Sequence, residues 1–199
     1  KKSDYTILRY HAHVPTSSGL GTSGVMNVVW LALATKFRDK AKLAELAYDI
    51  EKATGVVGGK QDQYAGAFGG INFLEFNDDH VKVEQLKLDA NFIKELENRL
   101  FLYYTGPRVS SDFNQKILDN ILKNDTKTVN ILKNITINAK EMRQALLNKD
   151  LNSFIELLNR EWSYRKSLHP NITTTKIERI INFAKKNGAN AAKVCGAGG

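Results

Sequence analysis

The sequence predicts an α+β fold in which helices outnumber strands. From about residue 111 to residue 186, apolar residues recur at helical spacing. Shorter runs in the first half alternate or are rich in strand-forming residues, and glycine-rich segments separate them. The chain has 199 residues, of which 42% are hydrophobic and 25% charged, so it is long enough to form a packed core.

The first seventy residues show a strand, a loop and two helices in order. Residues 6–14 alternate and predict a strand, which leads into a loop at 15–24. Residues 25–36 are nearly all apolar and predict a buried helix. A second helix is predicted over residues 41–52, because leucines, alanine and isoleucine share one face, and Gly55 breaks the pattern.

A hairpin and a set of helices follow. Residues 71–76 and 81–88 predict two strands joined by a turn. A short helix at 91–99 precedes an apolar, strand-like run at 100–104. Four helices are then expected up to residue 186, ended by the left-handed cap of Asn187 and Gly188, and Trp30 and Trp162 are expected in the core. The last eleven residues predict a strand feeding a glycine-rich loop.

Charge and composition exclude several classes of protein. The net charge is +8, and residues 123–186 hold 13 Lys and Arg against 6 Asp and Glu. These charges have the spacing of a solvated helical face, with attraction of anionic ligands as the alternative; no nucleic-acid motif accompanies them. No run approaches eighteen apolar residues, so no membrane span is expected. The single cysteine, Cys195, excludes an internal disulfide and favours a reducing, cytoplasmic setting.

The glycine-rich segment at residues 19–24 is the strongest local signal. Glycines allow a ligand to approach the backbone, and the amides at the start of the following helix favour an anion. The segment matches neither the Walker loop nor the dinucleotide-binding fingerprint. Phosphate binding and a plain turn with a Ser or Thr helix cap are therefore both compatible with it.

Two carboxylates complete the candidate site. Asp62 is flanked by amides and glycines and could accept a proton from a hydroxyl nucleophile, although an exposed turn aspartate is the simpler alternative. Glu51 lies on the polar side of the second predicted helix, eleven residues earlier. Together with Ser23, these side chains would form an oxygen-rich cluster of the kind that holds Mg²⁺ beside phosphates.

Three segments resemble the motifs of the GHMP kinases. Residues 15–24 are similar to the second signature, P-x-x-x-G-L-G-S-S-A, with Thr22 in place of Ser and Gly24 in place of Ala. Residues 193–199 are similar to the third signature, K-x-S-G-A-G-G-G-G, with Cys195 in place of Ser. Residues 59–64 resemble the segment that carries the catalytic aspartate. On these motifs and their order, the chain is identified as a member of the family.

Within the family, the resemblance is to kinases that act on sugars. Residues 58–70 and 103–106, with Trp162, are similar to bacterial heptose 7-phosphate kinases, and fucokinases share part of this pattern. The resemblance implies a two-layer fold with a ribosomal-protein-like nucleotide-binding half, residues 1–70, and a helix-rich, ferredoxin-like half, residues 71–199. Both halves are expected to be partial, because the family's first signature and the strands after its third signature are not found here.

The resemblance also implies roles for individual residues. Asp62 corresponds to the general base, and Ser23 and Glu51 correspond to the ligands of Mg²⁺. The residues expected to contact the phosphates of ATP are Ser18, Gly19, Leu20, Gly21, Thr22, Ser23, Gly196, Ala197 and Gly198. The residues expected to contact the substrate are Gly59, Lys60, Gln61 and Arg108; Arg108 is chosen because arginine forks onto phosphate oxygens, with a surface arginine as the alternative.

The expected function is therefore an ATP- and Mg²⁺-dependent kinase. It would transfer the γ-phosphoryl group to a hydroxyl of a sugar phosphate, with the anomeric hydroxyl of a heptose 7-phosphate as first choice. The alternatives are a fucose- or galactose-type sugar kinase and a non-catalytic GHMP-like binding protein. The expected partner is a sugar or sugar phosphate, with no nucleic acid and no membrane, and a homo-oligomer is left open.

Overall fold

The computed structural model describes residues 9–15, 17–55, 58–78, 80–107, 112–196 and 198. Their helices and one hairpin confirm the predicted α+β class. The elements run in the order α1 (Thr22–Ala34), α2 (Lys40–Ala53), α3 (Gln61–Phe68), β1 (Asn72–Phe76), β2 (Val81–Gln85), α4 (Ala90–Arg99), α5 (Asp112–Leu122), α6 (Thr126–Leu147), α7 (Leu151–Leu168), a single 3₁₀ turn (Pro170–Ile172) and α8 (Thr175–Lys186).

Side-chain caps define where most of the helices begin. Asp39, Asp89, Asp125, Asp150 and Thr174 each accept a hydrogen bond from a backbone N–H in the first turn of α2, α4, α6, α7 and α8, respectively. These bonds satisfy donors that a helix start otherwise leaves free. The helix α1 differs, because its N-cap is Gly21 and has no side chain to offer.

The first three helices pack on one another and carry the candidate site. Their core contains Val28 and Leu31 of α1 with Leu43 and Ala47 of α2. Ala67 of α3 packs against this cluster. This packing fixes the start of α1, the end of α2 and the start of α3 relative to one another. These helix ends carry the side chains described below.

The hairpin connects these helices to the helical half. Strands β1 and β2 are antiparallel, with Asn72 opposite Gln85 and Phe76 opposite Val81. The second strand ends at Gln85 rather than at residue 88, because its partner offers only five residues. Arg143 of α6 forks onto Glu84, with N–O distances of 2.8 and 2.7 Å, and so ties the hairpin to the longest helix.

The helical half is built on the α6–α7 pair. Its main cluster contains Phe113, Trp162, Ile172, Ile177 and Ile181, which come from α5, α7, the 3₁₀ turn and α8. The predicted cap after α8 is confirmed, since Gly188 has a φ of +101°. Trp162 is 4% exposed, so its predicted place in the core is confirmed.

Three strand predictions are wrong within the described residues. Positions 9–14 form no strand, although residues 6–8 of that prediction lie outside the described part of the chain. Residues 100–104 and 189–194 also lack strand structure. The physical reason is the same in each case, because strand propensity is realised only when a neighbouring strand pairs with the backbone. In the described ranges, the hairpin is the one sheet.

The first helix is more exposed than its sequence predicts. Val28 and Leu31 are buried, but Val29 is 50% and Trp30 43% exposed, so the prediction that Trp30 lies in the core is wrong. A helix that is apolar on every side can bury only the face that its neighbours cover.

Some of the basic side chains in residues 123–186 form ion pairs within the fold. Arg143 binds Glu84, Arg160 binds Glu141, and Lys166 binds Glu178. Most of the basic residues in this range are exposed, which agrees with the prediction of a solvated helical face. Within the described segments, no helix has both the length and the apolar character needed to cross a membrane.

Candidate functional site

The glycine-rich segment leads directly into the exposed start of α1. Gly21 is the N-cap with φ +67° and ψ +23°, the left-handed conformation that glycine adopts readily, and it makes no side-chain cap. The sequence leaves two interpretations open, phosphate binding and a Ser or Thr helix cap. The N-cap residue is a glycine, so neither serine nor threonine caps α1. The first-turn amides and the positive end of the helix dipole face this loop, which is the arrangement that binds anions.

Asp62 lies against this helix start. It stands in the first turn of α3. A Cβ built on Gly21 would lie 2.7 Å from Cγ and 3.0 Å from Oδ1 of Asp62, and a Cβ on Gly24 would lie 3.1 Å from the Cβ of Asp62. At Gly21, only glycine allows so close an approach between α1 and α3, and at Gly24 a side chain would make the contact tighter than usual. The carboxyl group therefore lies where a phosphate held by the loop would be within its reach.

Glu51 reaches the same place through Gln63. Gln63 is 1% exposed, and its Nε2 donates a hydrogen bond to Oε2 of Glu51. A Cβ on Gly24 would lie 3.3 Å from the amide carbon of Gln63, so this amide sits between α1 and α2. Through Gln63, Glu51 is thus linked to Gly24 of α1, which Asp62 also approaches.

Burial is the main influence on the acidity of Asp62. Desolvation raises the pKa of Asp62 above its ordinary value, because the charged form loses water. The negative charge of Glu51 raises this pKa further. A carboxylate that is poorly solvated and close to another negative charge is a stronger proton acceptor than a free aspartate, which suits a general base.

A third carboxylate, Glu45, fixes the start of α3. Its Oε2 accepts a hydrogen bond from Nζ of Lys60, and its Oε1 accepts one from the hydroxyl of Tyr64, both at 2.6 Å. Burial, the largest single influence, acts to raise the pKa of Glu45, but the bonds from Lys60 and Tyr64 together outweigh it and lower the pKa. Burial and Glu45 also raise the pKa of Tyr64. This network holds the turn before Asp62 against α2.

Replacement of Tyr64 by Phe is expected to weaken this attachment. Tyr64 is 2% exposed, so the change removes a buried hydrogen bond to a carboxylate and should lower the free energy of unfolding by about 1–2 kcal/mol. Urea denaturation at pH 7 measures it. Because the folded pKa of Glu45 is lowered, its stabilising charge interactions are lost as the pH falls through that value, and the difference should shrink in acid.

The exposed Tyr103 provides the control for this prediction. Its side chain is 65% exposed, and Tyr103→Phe should change the free energy of unfolding by less than about 0.5 kcal/mol. Equal effects of the two substitutions would contradict the role assigned to the Tyr64 hydroxyl.

The C-terminal glycine-rich loop closes over the first one. A Cβ on Gly19 would lie 2.6 Å from the carbonyl oxygen of Cys195, and a Cβ on Gly196 would lie 2.9 Å from that of Gly19. Arg165 of α7 donates to the carbonyl of Gly196 at 2.8 Å. Gly198 is buried against the backbone of Ile172. The two segments that resemble family signatures are therefore in backbone contact.

The remaining predicted site residues are distributed around these loops. Oγ of Ser18 is buried with no hydrogen-bond partner among the described residues. Ser23 and Leu20 are exposed, and Thr22 is half-buried. Gly59 and Gln61 are exposed at the start of α3, and Nζ of Lys60 lies 5.1 Å above the ring of Tyr48. Arg108 and Ala197 lie outside the described residues.

The donor set fits Mg²⁺ only if a ligand supplies further oxygens. The described residues contain no group of three or more His, Cys, Asp or Glu side chains that could hold a metal ion. Oε1 of Glu51 is nevertheless buried, and the described part of the chain offers it no hydrogen-bond partner. An unpartnered buried carboxylate oxygen suits Mg²⁺, which in proteins typically takes one or two carboxylates together with substrate phosphates.

Sequence analysis did not single out the roles of Gln63 and Glu45. Both are polar residues whose importance depends on what lies opposite them in the fold. The available signal for Gln63 was its helical spacing, since Gln63, Tyr64 and Ala67 share the face of α3 that packs inward. A glutamine on such a face needs a buried partner.

Two family matches agree with this geometry. "GHMP kinases N terminal domain" matches residues 4–70, and "GHMP kinases C terminal" matches residues 142–199. Together the two matches cover more than half of the chain. The chain belongs to the GHMP kinase family.

Individual relatives are sugar kinases by name. The chain is 35% identical to D-glycero-alpha-D-manno-heptose 7-phosphate kinase of Campylobacter jejuni subsp. jejuni, over 96% of this chain and 58% of the relative. It is 28% identical to the bifunctional fucokinase/GDP-fucose pyrophosphorylase of Arabidopsis thaliana, over 94% of this chain and 18% of that relative. A crystal structure of a D-glycero-D-manno-heptose 1-phosphate kinase from Bacteriodes thetaiotaomicron matches with a TM-score of 0.68 and 32% identity. The match covers 93% of this chain and 52% of the solved one. The chain thus spans little more than half of the two heptose kinases, and the solved structure confirms the GHMP kinase fold.

Proposed function

We propose that this protein is an ATP-dependent sugar kinase, and that its substrate is a heptose phosphate with a free anomeric hydroxyl. In this proposal, residues 1–70 form the nucleotide-binding half and residues 71–199 form the substrate-side half. The observation that carries it is the position of the Asp62 carboxyl group at the uncapped start of α1, with Oδ1 3.0 Å from where a Cβ of Gly21 would be. A proton acceptor beside an anion-binding helix start is an arrangement that phosphoryl transfer to a hydroxyl can use.

The chain's own residues have distinct tasks in this reaction. The amides from Gly19 to Ser23 would bind the phosphates of ATP, and the loop at 196–198 would close over them. Asp62 would orient the sugar hydroxyl and take its proton. The hydroxyl oxygen then bonds to the γ-phosphorus, the bond from that phosphorus to the β,γ-bridging oxygen breaks, and ADP leaves with the electron pair.

Mg²⁺ would be held by Ser23 and Glu51 in this proposal. Bound there beside the phosphates, the ion would neutralise charge on the oxygens of the transferring group. Glu51 offers the buried, unpartnered Oε1 for this purpose, and Ser23 offers its hydroxyl at the exposed start of α1.

The choice of sugar rests on the relatives. Two of them are named heptose phosphate kinases and one contains a fucokinase, so a sugar hydroxyl is the common acceptor. Gly59, Lys60 and Gln61 stand immediately before Asp62 and are proposed to contact this sugar, and Arg108 is proposed to bind its phosphate.

A coupled assay of ADP release from the full-length protein tests this proposal. With ATP and Mg²⁺ present, D-glycero-D-manno-heptose 7-phosphate should give the highest kcat/KM in a panel with fucose, galactose and mannose. Phosphorus NMR of the product should show a second phosphate at the anomeric carbon. Higher kcat/KM for fucose would overturn the substrate assignment, and no sugar-dependent ADP release from any of the four would overturn the kinase assignment.

A further inference from the structure

Gln63 occupies an unusual position for a polar residue. It is one of the most deeply buried side chains of the described residues, at 1% exposure, and it lies where α1, α2 and α3 meet. On one side, the amide faces Gly24, whose missing side chain leaves the space that the amide carbon fills. On the other side, Nε2 reaches Oε2 of Glu51.

In the Gln63–Glu51 pair, only one oxygen of the carboxylate accepts a hydrogen bond from the described residues. Of the two carboxylate oxygens of Glu51, Oε2 is bound by Gln63, whereas Oε1 is buried with no partner in the described ranges. The amide oxygen of Gln63 is likewise buried and unpartnered there. The amide thus has its NH₂ directed to the carboxylate, which is the orientation that a negative charge favours.

This arrangement is unfavourable if stability alone is considered. A buried amide oxygen without a hydrogen bond costs about 1–3 kcal/mol, and an apolar side chain of similar size would fill the same space. A filler role therefore does not explain an amide at this position. What the amide achieves is to fix one oxygen of Glu51 and to leave the other without a protein partner.

We propose that Gln63 is a positioning residue for the metal-binding carboxylate: its amide holds Oε2 of Glu51, so that Oε1 remains free to bind Mg²⁺ through one oxygen. This inference rests on the proposed function and adds to it a role for Gln63, to which the sequence analysis assigned none. Mg²⁺ requires near-ideal octahedral geometry, so a carboxylate that is free to rotate binds it less well. Hydrogen bonds to ligating carboxylates typically change metal affinity by about 10–100-fold.

The test measures binding and not turnover. In the full-length protein, calorimetry gives the Kd of ADP without metal and with saturating Mg²⁺, and the ratio of the two is the gain in affinity due to the ion. For Gln63→Met, which keeps the volume but has no donor, this gain should fall by about 10–100-fold. The Kd of ADP without metal should remain within twofold of the original, since Gln63 touches no phosphate in this proposal.

Two further variants make the result specific. Gln144→Met removes an exposed glutamine of α6 that bonds only Asn148 among the described residues, and it should keep the full gain. In a Glu51→Gln background, Gln63→Met should have no additional effect on the gain, because the proposal has Gln63 act through Glu51. Gln63→Asn, whose shorter side chain withdraws the donor, replaces Gln63→Met if the latter fails to melt cooperatively.

The outcomes separate this inference from the proposed function. An undiminished gain in Gln63→Met, or an equal loss of metal-free ADP affinity, overturns the positioning role while the kinase assignment stands. Failure of the unsubstituted protein to bind ADP, or to bind it more tightly with Mg²⁺, overturns the proposed function itself.

Discussion

Asp62→Asn is expected to lower kcat by about 10²–10⁴, the usual contribution of a general base. The asparagine has nearly the same shape, so the contacts with Gly21 and Gly24 persist. It cannot take the proton of the sugar hydroxyl. The Kd for ADP should change by less than about threefold, because the amides of the α1 start, and not Asp62, are proposed to bind the phosphates. Steady-state kinetics and calorimetry on the same preparation measure both quantities.

Asp49→Asn is the matched control. Asp49 lies on the exposed side of α2, two residues before Glu51, and the substitution removes the same charge from the same region. Its kcat should stay within twofold of the original. A near-normal kcat for Asp62→Asn would refute the assignment of the base, and a large loss in Asp49→Asn would show that general charge, and not position, controls the rate.

Asp62→Asn, which is expected to lower kcat, is expected to stabilise the fold. Because burial and Glu51 raise the pKa of Asp62, the folded protein holds this proton more tightly than the unfolded chain does. Ionisation of Asp62 therefore destabilises the fold, and the penalty is fully present above the raised pKa. Asp62→Asn should increase the free energy of unfolding at pH 7 without ligands, and the gain should shrink as the pH is lowered toward 3.8, the ordinary value for aspartate. A catalytic group held in an unfavourable environment commonly shows this opposition between stability and activity.

The candidate site was predictable to the extent that local motifs carry it. The segments around Gly21, Asp62 and Gly196 were identified from their residues, and the structure brings all three regions together. Gln63 was not identified, because its role arises from the packing of three helices around one amide. A sequence position gives no information about which carboxylate faces a buried amide unless the fold is known.

The fold was predictable where the signal is local and not where it depends on pairing. Helical periodicity identified the helices from α4 to α8, because the stripe of apolar residues determines which face turns inward. Residues 100–104 have the composition of a strand, but Phe101 is 87% exposed and no described strand pairs with the segment. Trp30 shows the same limit for helices, since an apolar residue is buried only where a neighbour covers it.

Gly21→Ala is expected to reduce kcat by about 10²-fold or more, although the substitution adds one methyl group and removes no chemistry. The new Cβ would lie 2.7 Å from Cγ of Asp62, which is closer than real Cβ contacts allow. Either the carboxyl group or the start of α1 must move, and a displacement of about 1 Å in a reacting geometry can change the rate about 10²-fold. The left-handed φ of +67° adds about 1–2 kcal/mol of strain for any residue with a Cβ, so the free energy of unfolding should also fall.

Gly55→Ala is the control for Gly21→Ala. It separates the strain of a left-handed φ from the contact with Asp62. Gly55 also has a left-handed φ, +81°, but a Cβ there would meet nothing within 4 Å. It should therefore show a comparable loss of stability with a kcat close to the original. If Gly21→Ala loses only as much activity as Gly55→Ala, the contact between Gly21 and Asp62 is not what positions the base. A large difference in kcat at similar stability would establish that the close approach of α1 and α3 is required for the reaction.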